Sequence, residues 1–477
     1  MSSKRLLEYS FPDLKKSLFG SMKCISDARK AVSAYGPLML LYFCSSCSLA
    51  FPMVSVAGIL NQEIALSSSE LALYYTAIFV PWNFRALYGL FSDLVPIFGF
   101  RRIIYMIMGN LILGACYLLY AAVVTSDREA FAVGVTMNIF FAFSEAVLDA
   151  AVVEKIRVQQ DDAQSSLERT RRSCDIQSAS MTFRTLGSVL SFLVAGSLST
   201  CFEPRTIIAM SATFPFISSI VILIARDTIE TRKPREQVLV FEKTSLFITY
   251  IKKCISERRW PVEMVTTISP VLIPSIFILL YASSPSSNVV FMSYLYSLNS
   301  LDQFQFHIVT LCGMIGGLLG TLIYWASFRR VEDHRKIFAI SILFSVIASG
   351  SRLLIIYYWK QSGFICFDEM LVNIAARFTL MPVQVYASIA ASTPEHMMYE
   401  GFVFGFFASI ENWGGTISGL ISSEMAVHLN VTMMIITCAS ISVLPLFTLS
   451  LLKARTRCEK EIKPISDLAV TKTHIIT

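Results

Sequence analysis

The stretch GLFSDLVPIFGFRRIIYMIMGNLILGACYLLYAAVV, residues 89–124, decides how this chain must be read. From Ile103 onward it is an apolar run without a charge, long enough to cross a bilayer as a helix, which takes about 20 residues. Before that run, Gly89, Asp93, Pro96 and Gly99 interrupt the hydrophobicity, and Arg101 and Arg102 close the break. A short polar turn between two apolar segments is the signature of a multi-span membrane protein. A basic pair against the end of a span also gives direction, because Lys and Arg accumulate on the cytoplasmic flank.

Outward from this stretch, apolar windows centre near Phe43, Ile78, Ile112, Phe140, Leu190, Phe216, Pro274, Cys312, Phe344, Pro382, Ser409 and Thr437. The expectation is an all-α membrane protein of about twelve transmembrane helices. Composition agrees: 54% of the 477 residues are hydrophobic and only 16% charged, against about a quarter charged in a soluble domain. With a cytoplasmic N-terminus, 33 of the 40 Lys and Arg fall on the inner side. The outer loops hold Arg128, Arg205 and Lys360, and Arg85, Arg184, Arg352 and Arg377 lie within spans or at their ends. A wrong count of spans would scramble this alternation. Both termini are therefore expected in the cytoplasm, with the plasma membrane as the expected site and an organellar membrane as the alternative. The net charge of +6 becomes a matter of topology, so the bilayer is a partner and nucleic acid is not.

The longest polar stretch follows the sixth window and divides the chain. Residues 1–33 read as a basic tail without a cleavable signal, 34–225 as one six-helix half and 226–260 as a linker. Residues 261–452 read as the second half and 453–477 as a tail. Within the linker, Leu246 to Ile255 has the spacing of a helix lying on the membrane face. Two six-helix halves around a central cavity are the architecture of major-facilitator carriers. A faint echo agrees: Gly89 precedes Arg101-Arg102 by the same offset as Gly317 precedes Arg329-Arg330. Between the fourth and fifth windows, residues 155–173 read as a long charged loop. The eleven cysteines are scattered without metal-ligand spacing; Cys201 and Cys366 alone fall in expected outer loops.

A charge at the bilayer centre costs about 2.5–3.5 kcal/mol on insertion scales, so intramembrane charges mark a cavity or a partner. The fourth window carries Asn138, Ala142, Glu145 and Asp149 on one helical face, and the fifth carries Gln177, Ser180, Arg184, Gly187 and Ser191. Arg184 has two readings, an ion pair with Glu145 or Asp149 or a fork for a substrate carboxylate; the two coexist if substrate and acid compete. Arg377 faces the same choice, with Glu411 as an internal partner, and Pro382 beyond it can break the helix hydrogen bonds. Arg352, nearer a helix end, is expected to snorkel to the surface. Glu145 and Asp149, held between apolar surroundings and Arg, are the candidates for taking up and releasing a proton. Asp93 and Glu154, with Arg101 and Arg102, lie where an inner gate would be. The small-residue side of the eleventh window (Gly401, Gly405, Ala408, Asn412, Gly415, Gly419) suits close helix packing, with Asn412 free to donate to a ring. Trp82 and Trp413 offer aromatic faces. Asn430-Val-Thr432 is an outward acceptor sequon close to the membrane. No phosphate-binding loop, metal constellation or nucleophile elbow is present, so neither an enzyme nor an ATP-driven pump is expected, and no cofactor.

The run PWNFRALYGLFSD, residues 81–93, followed by PIFGFRR, residues 96–102, resembles the folate–biopterin transporter family. Asp149-Ala-Ala-Val-Val-Glu154, Arg259-Trp260-Pro261 and Glu400-Gly401 with Asn412 agree with it, so the likeness extends over roughly residues 35–450. Two features depart from the family pattern: Arg85 stands where Lys is usual, and the charged stretch 155–173 has no counterpart. The resemblance implies a major-facilitator fold and a monomeric, proton-driven carrier of a folate- or pterin-like anion. Around that substrate the intramembrane polar and aromatic residues read above, Arg184, Arg377, Arg85, Asn412, Trp413 and Glu411, are the expected binding set. A carrier of another metabolite, such as a sugar, a nucleoside-like compound or an amino-acid derivative, is the alternative, and a non-transporting receptor on the same body is a third reading.

Overall fold

The computed structural model describes residues 35–66, 68–160, 166–230, 262–297, 303–358, 362–393 and 399–452. In these residues the chain is helical throughout, and the one β-bridge joins Ile97 and Phe100 across a tight turn. Helix α1 (Gly36–Ala50) runs through a break at Phe51-Pro52 into α2 (Met53–Gly58) and a π turn, Ile59–Glu63. Next come α3 (Ser68–Ile78), a 3-10 turn (Val80–Phe84) and α4 (Arg85–Leu94). Then follow α5 (Ile103–Val123), α6 (Asp127–Gln160), α7 (Ser166–Leu198), α8 (Pro204–Ser211), α9 (Thr213–Ile224) and the short α10 (Arg226–Ile229). The later elements are α11 (Val262–Ala282), α12 (Asn288–Ser297), α13 (Gln303–Phe328), α14 (His334–Tyr357) and α15 (Ser362–Ala391). The last are α16 (Glu400–His428), α17 (Val431–Ile441) and a 3-10 segment, Leu444–Leu451.

Every expected apolar window centres on helical residues, and eight segments are individually long and apolar enough to cross a membrane. The 21 residues of α5 span about 31 Å at 1.5 Å each, the thickness of a hydrocarbon core. Large apolar side chains point outward on many helices, Ile224, Ile347, Leu420 and Phe447 among them; a lipid-facing surface requires this and an aqueous one penalises it.

Two expectations need correction. The charged stretch 155–173 is not a long loop: α6 continues to Gln160 and α7 begins at Ser166, so only residues 161–165 lie outside the described helices. Intrahelical pairs such as Arg172–Glu168 support the extension, each contributing a few tenths of a kcal/mol. Cys366 lies in the first turns of α15 rather than in a loop, and both it and Cys201 are free thiols. Pro382 is buried inside α15, which continues on both sides of it although the proline has no N–H to donate. The linker segment Leu246–Ile255 lies outside the described residues. Asn430 caps α17, its side chain accepting from the Met433 N–H at 2.9 Å.

Glycines set how closely the helices approach. A Cβ on Gly89 of α4 would stand 2.2 Å from the Gly401 carbonyl oxygen of α16, and one on Gly405 would stand 2.7 Å from the Arg85 carbonyl oxygen. The expected stripe on α16 thus packs through its first half, whereas Gly415 and Gly419 have open space around them. A second such seam was not singled out from sequence. Gly316 and Gly320 of α13 would each put a Cβ within 3 Å of the α15 backbone, at 2.4 Å and 2.8 Å. Gly89→Ala is expected to destabilise the protein by about 1–3 kcal/mol through overpacking, and Gly415→Ala to stay within about 0.5 kcal/mol of wild type. Thermal unfolding of the two purified variants in detergent checks this, and equal melting temperatures would refute the packing account.

Candidate functional site

The hinge of the second window begins the site. Pro81, at the first turn of the 3-10 segment, has no N–H and tolerates that position, so α3 and α4 do not form one continuous rod. The Trp82 carbonyl receives the side-chain amide of Asn412 at 2.8 Å, and Asn83 reaches Thr416 at 3.4 Å. Asn412 therefore ties α16 to the hinge, its amide donating to backbone. The Trp82 ring packs edge-on to Phe141, and its Nε1–H donates to Asn138 at 3.0 Å.

This hinge directs Arg85 inward to Asp149 of α6, with which it forms a buried ion pair. The other Asp149 oxygen accepts from Arg184 of α7 at 3.0 Å and from the Tyr42 hydroxyl of α1 at 2.7 Å. Arg184 also pairs with Glu145, to which Ser45 donates, and its guanidinium lies over the Tyr42 ring at 4.3 Å. The ion-pair reading of Arg184 is therefore realised, and Tyr42 and Ser45 complete it. An uncharged first helix offered no sequence signal for either.

Two charges do not join this network by direct contact. Arg377 of α15 touches Met181 of α7, Nη1 to Sδ at 3.0 Å, and has no carboxylate partner among the described residues. It lies within Coulombic reach of Arg184, cation against cation. Glu411 of α16 has no hydrogen bond or ion pair among the described residues, and Arg85 is the charge within its reach. The expected Arg377–Glu411 pair is thus not made. Trp413 is 41% exposed and sits edge-on to Phe84. Arg352 does not snorkel. It is 2% exposed, between Asp368 at 3.5 Å, Asn288 at 2.6 Å and the ring of Phe291. The partner acid Asp368 and the short helix α12 supply polar atoms whose position no sequence pattern signals.

At the basic end the expected gate residues converge. Phe98 and Gly99 take positive φ, 50° and 83°, the geometry of a tight two-residue reversal, which turns Arg101 and Arg102 back onto Asp93. Asp93 accepts from Arg101 at 3.1 Å and from Arg102, and its second oxygen accepts the Phe402 N–H at 2.8 Å, in the first turn of α16. Arg102 reaches Glu154 at 3.7 Å, and Arg157 meets Glu400 at 2.9 Å. Glu230, just beyond α10, accepts the Arg101 N–H at 2.9 Å; burial pushes its carboxyl up to about 6, against the pull of Arg102. A second clamp joins α7 to α13, where Asp175 accepts from Trp325 Nε1 at 2.7 Å and from Arg329 at 2.9 Å. Arg157, Asp175 and Glu400 were not among the expected site residues; the first two lie in or beside the stretch read as a loop. Towards the far end, a cavity of about 370 Å³ opens between α1, α3, α5 and α6, lined by Tyr74, Tyr75, Phe79, Tyr117, Tyr120 and Asn138 among others. It holds no charged side chain and does not suit an anion.

Residues 47–467 match the model of the BT1 family. The chain belongs to the BT1 family. Among the relatives of this member, a folate-biopterin transporter of Synechocystis sp. is 25% identical over 90% of the chain and 84% of its own length. Folate transporter 1 of Plasmodium falciparum is 22% identical over 84% of the chain and 75% of its own length. Among solved structures, a major-facilitator proton:xylose symporter superposes with a TM-score of 0.62 at 12% identity, covering 88% of the chain and 96% of that structure. The human organic anion transporter MFSD10 gives 0.58 at 14% identity, covering 88% and 99%. The BT1 chain thus has the major-facilitator fold, as expected from its sequence.

Because Asp149 neutralises Arg85 and shares Arg184, Asp149→Asn should lower stability by about 3–5 kcal/mol, the cost of stranding a buried ion. Adding Arg85→Met should recover part of the loss. A double-mutant cycle on thermal unfolding is expected to give a coupling of at least about 1 kcal/mol; strictly additive effects would rule the pair out as a structural element.

Proposed function

We propose that this BT1-family chain is a secondary carrier that moves a folate- or pterin-like anion across a membrane by alternating access. Arg377 carries the reading. It is a guanidinium inside the bundle with no carboxylate to neutralise it among the described residues, and it stands within Coulombic reach of a second cation, Arg184. Placing like charges near each other inside a protein is costly unless an anion visits. A substrate carboxylate between Arg377 and Arg184 would offset that cost and find the planar donor fork it needs. The names of the relatives direct the choice of anion towards folates and pterins.

In this reading residues 34–225 and 261–452 form the two rocking halves, 226–260 joins them, and the end carrying Arg101, Arg102 and Arg329 faces the cytoplasm together with both termini. Supporting this are the basic-residue pattern and the contacts at that end between early and late helices, Asp93 to Phe402, Arg157 to Glu400 and Asp175 to Arg329. The conformation is then one closed towards the cytoplasm, with the gate residues Asp93, Arg101, Arg102 and Glu154 holding it shut.

The test is binding and vesicle uptake of labelled folate and biopterin, with sugars, nucleosides and amino acids as competitors. Arg377→Ala should weaken folate binding at least tenfold, about 1.4 kcal/mol, while the melting temperature stays near wild type, since no carboxylate is stranded. Arg184→Ala should lower both, because it leaves Glu145 and Asp149 underpaired. If purified wild-type protein in vesicles moves no folate or pterin, the substrate assignment fails. If Arg377→Ala binds folate normally, Arg377 is not the anion site.

A further inference from the structure

The charges at the heart of the bundle balance in a way that links the anion to a proton. Glu411, Arg85, Asp149, Arg184, Glu145 and Arg377 form one electrostatic chain across α16, α4, α6, α7 and α15. Three are carboxylates and three are guanidiniums. Glu145 and Asp149 are each bonded to arginine and further held by Ser45 and Tyr42. A proton arriving at either would have to displace a buried ion pair. Glu411 has no such bond among the described residues, and neither of its oxygens is sealed from open space as an unsatisfied buried atom. The neutral resting set therefore has one loose end of each sign, Arg377 and Glu411, on different helices.

From the proposed anion site, we infer that Glu411 is the proton-carrying residue, and that one proton on Glu411 accompanies each substrate carboxylate on Arg377. A single substrate carboxylate seated on Arg377 gives the set one surplus negative charge, whatever further carboxylate the substrate holds elsewhere. A proton passing from the water on the open side to the Glu411 carboxylate restores neutrality. On release to the other side, substrate and proton leave together, the proton returning to water, and the empty set is again neutral. Neither half-loaded set is neutral, and uncompensated charge within the bundle opposes its closure.

The groups around Glu411 fit this role. From α4 comes Arg85 and from α11 the Tyr281 hydroxyl, with Asp149 of α6 behind Arg85. The 3-10 turn meets α16 through the Trp82 carbonyl and the Asn83 side chain, neither of them ionisable. One other acid competes, Glu369 of α15. Its carboxylate accepts from Asn373 at 2.9 Å, one oxygen is buried without a partner, and it belongs electrostatically to Arg352 and Asp368. It is therefore outside the balanced set.

The experiment uses the full chain in liposomes with labelled folate. Exchange at zero gradient reads substrate recognition, and accumulation under an imposed pH gradient, with the membrane potential clamped at zero, reads coupling. Wild type is expected to accumulate folate about tenfold per pH unit, the ratio for one proton. Glu411→Gln is expected to lose accumulation while its slowed exchange becomes independent of pH, and Glu369→Gln to accumulate as wild type does. Accumulation by Glu411→Gln, or its loss in Glu369→Gln with exchange intact, overturns the assignment. Should Glu411→Gln fail to fold, the wild-type ratio still decides: no accumulation, or about a hundredfold per pH unit, overturns it. A wild type that exchanges no folate or pterin overturns the proposed function itself, an outcome distinct from exchange without coupling.

Discussion

One carboxylate organises the middle of this molecule. Asp149 on α6 takes Arg85 from α4, Arg184 from α7 and the Tyr42 hydroxyl from α1, so four helices meet at a single side chain. In a medium of low dielectric the attraction between such charges is several times what water allows, but so is the cost of leaving any of them alone. Hence the helices are not free to choose their rotation: each must present its polar atom at the same depth. The Pro81 hinge follows from this constraint, because a straight second helix would carry Arg85 elsewhere, and the amide of Asn412 then closes the carbonyl that the hinge exposes.

At the basic end the same electrostatics work only because side chains have first been removed. Gly89 and Gly401 let α4 and α16 touch backbone to backbone, and a Cβ on Gly401 would stand 3.0 Å from the Asp93 carboxylate. That proximity lets Asp93 accept the Phe402 N–H, near the positive end of the α16 helix dipole, while the arginine pair neutralises its other side. The glycines, the acid and the basic pair are thus one device, and the sequence pattern from Gly89 to Arg102 is its footprint.

The fold was legible because it rests on long-range averages: twelve apolar windows and the side on which 33 of 40 basic residues fall. The buried charges of the candidate site were legible as charges but not in their pairing. Glu145, Asp149, Arg184, Arg85, Arg377 and Glu411 all stood out as charges in apolar runs, yet which cation meets which acid depends on helix rotation, and periodicity leaves that open. Arg352 was misjudged because its partners, Asp368 and Asn288, sit at the ends of other elements, where acids and amides carry no distinctive pattern. The stretch 155–173 was misjudged for the opposite reason: its charges look like a loop, but outside residues 161–165 they lie on the ends of two long helices, where Arg157 meets Glu400.

The distribution of these pairs says which of them can move. Asp149 and all its partners lie on helices before residue 200, so a rocking of early helices against late ones would leave that cluster intact. The contacts Asp93–Phe402, Arg157–Glu400 and Asp175–Arg329 each join an early helix to a late one, so the same motion must break them. Among the described residues, Arg377 and Glu411 of the late helices lie within Coulombic reach of Arg184 and Arg85 of the early cluster without a bond to them. A ligand held there acts on the equilibrium between states only through its different fit to each. In the proposed carrier the unbonded charges would be where solute and motion are coupled, and the bonded ones the frame that holds them in place.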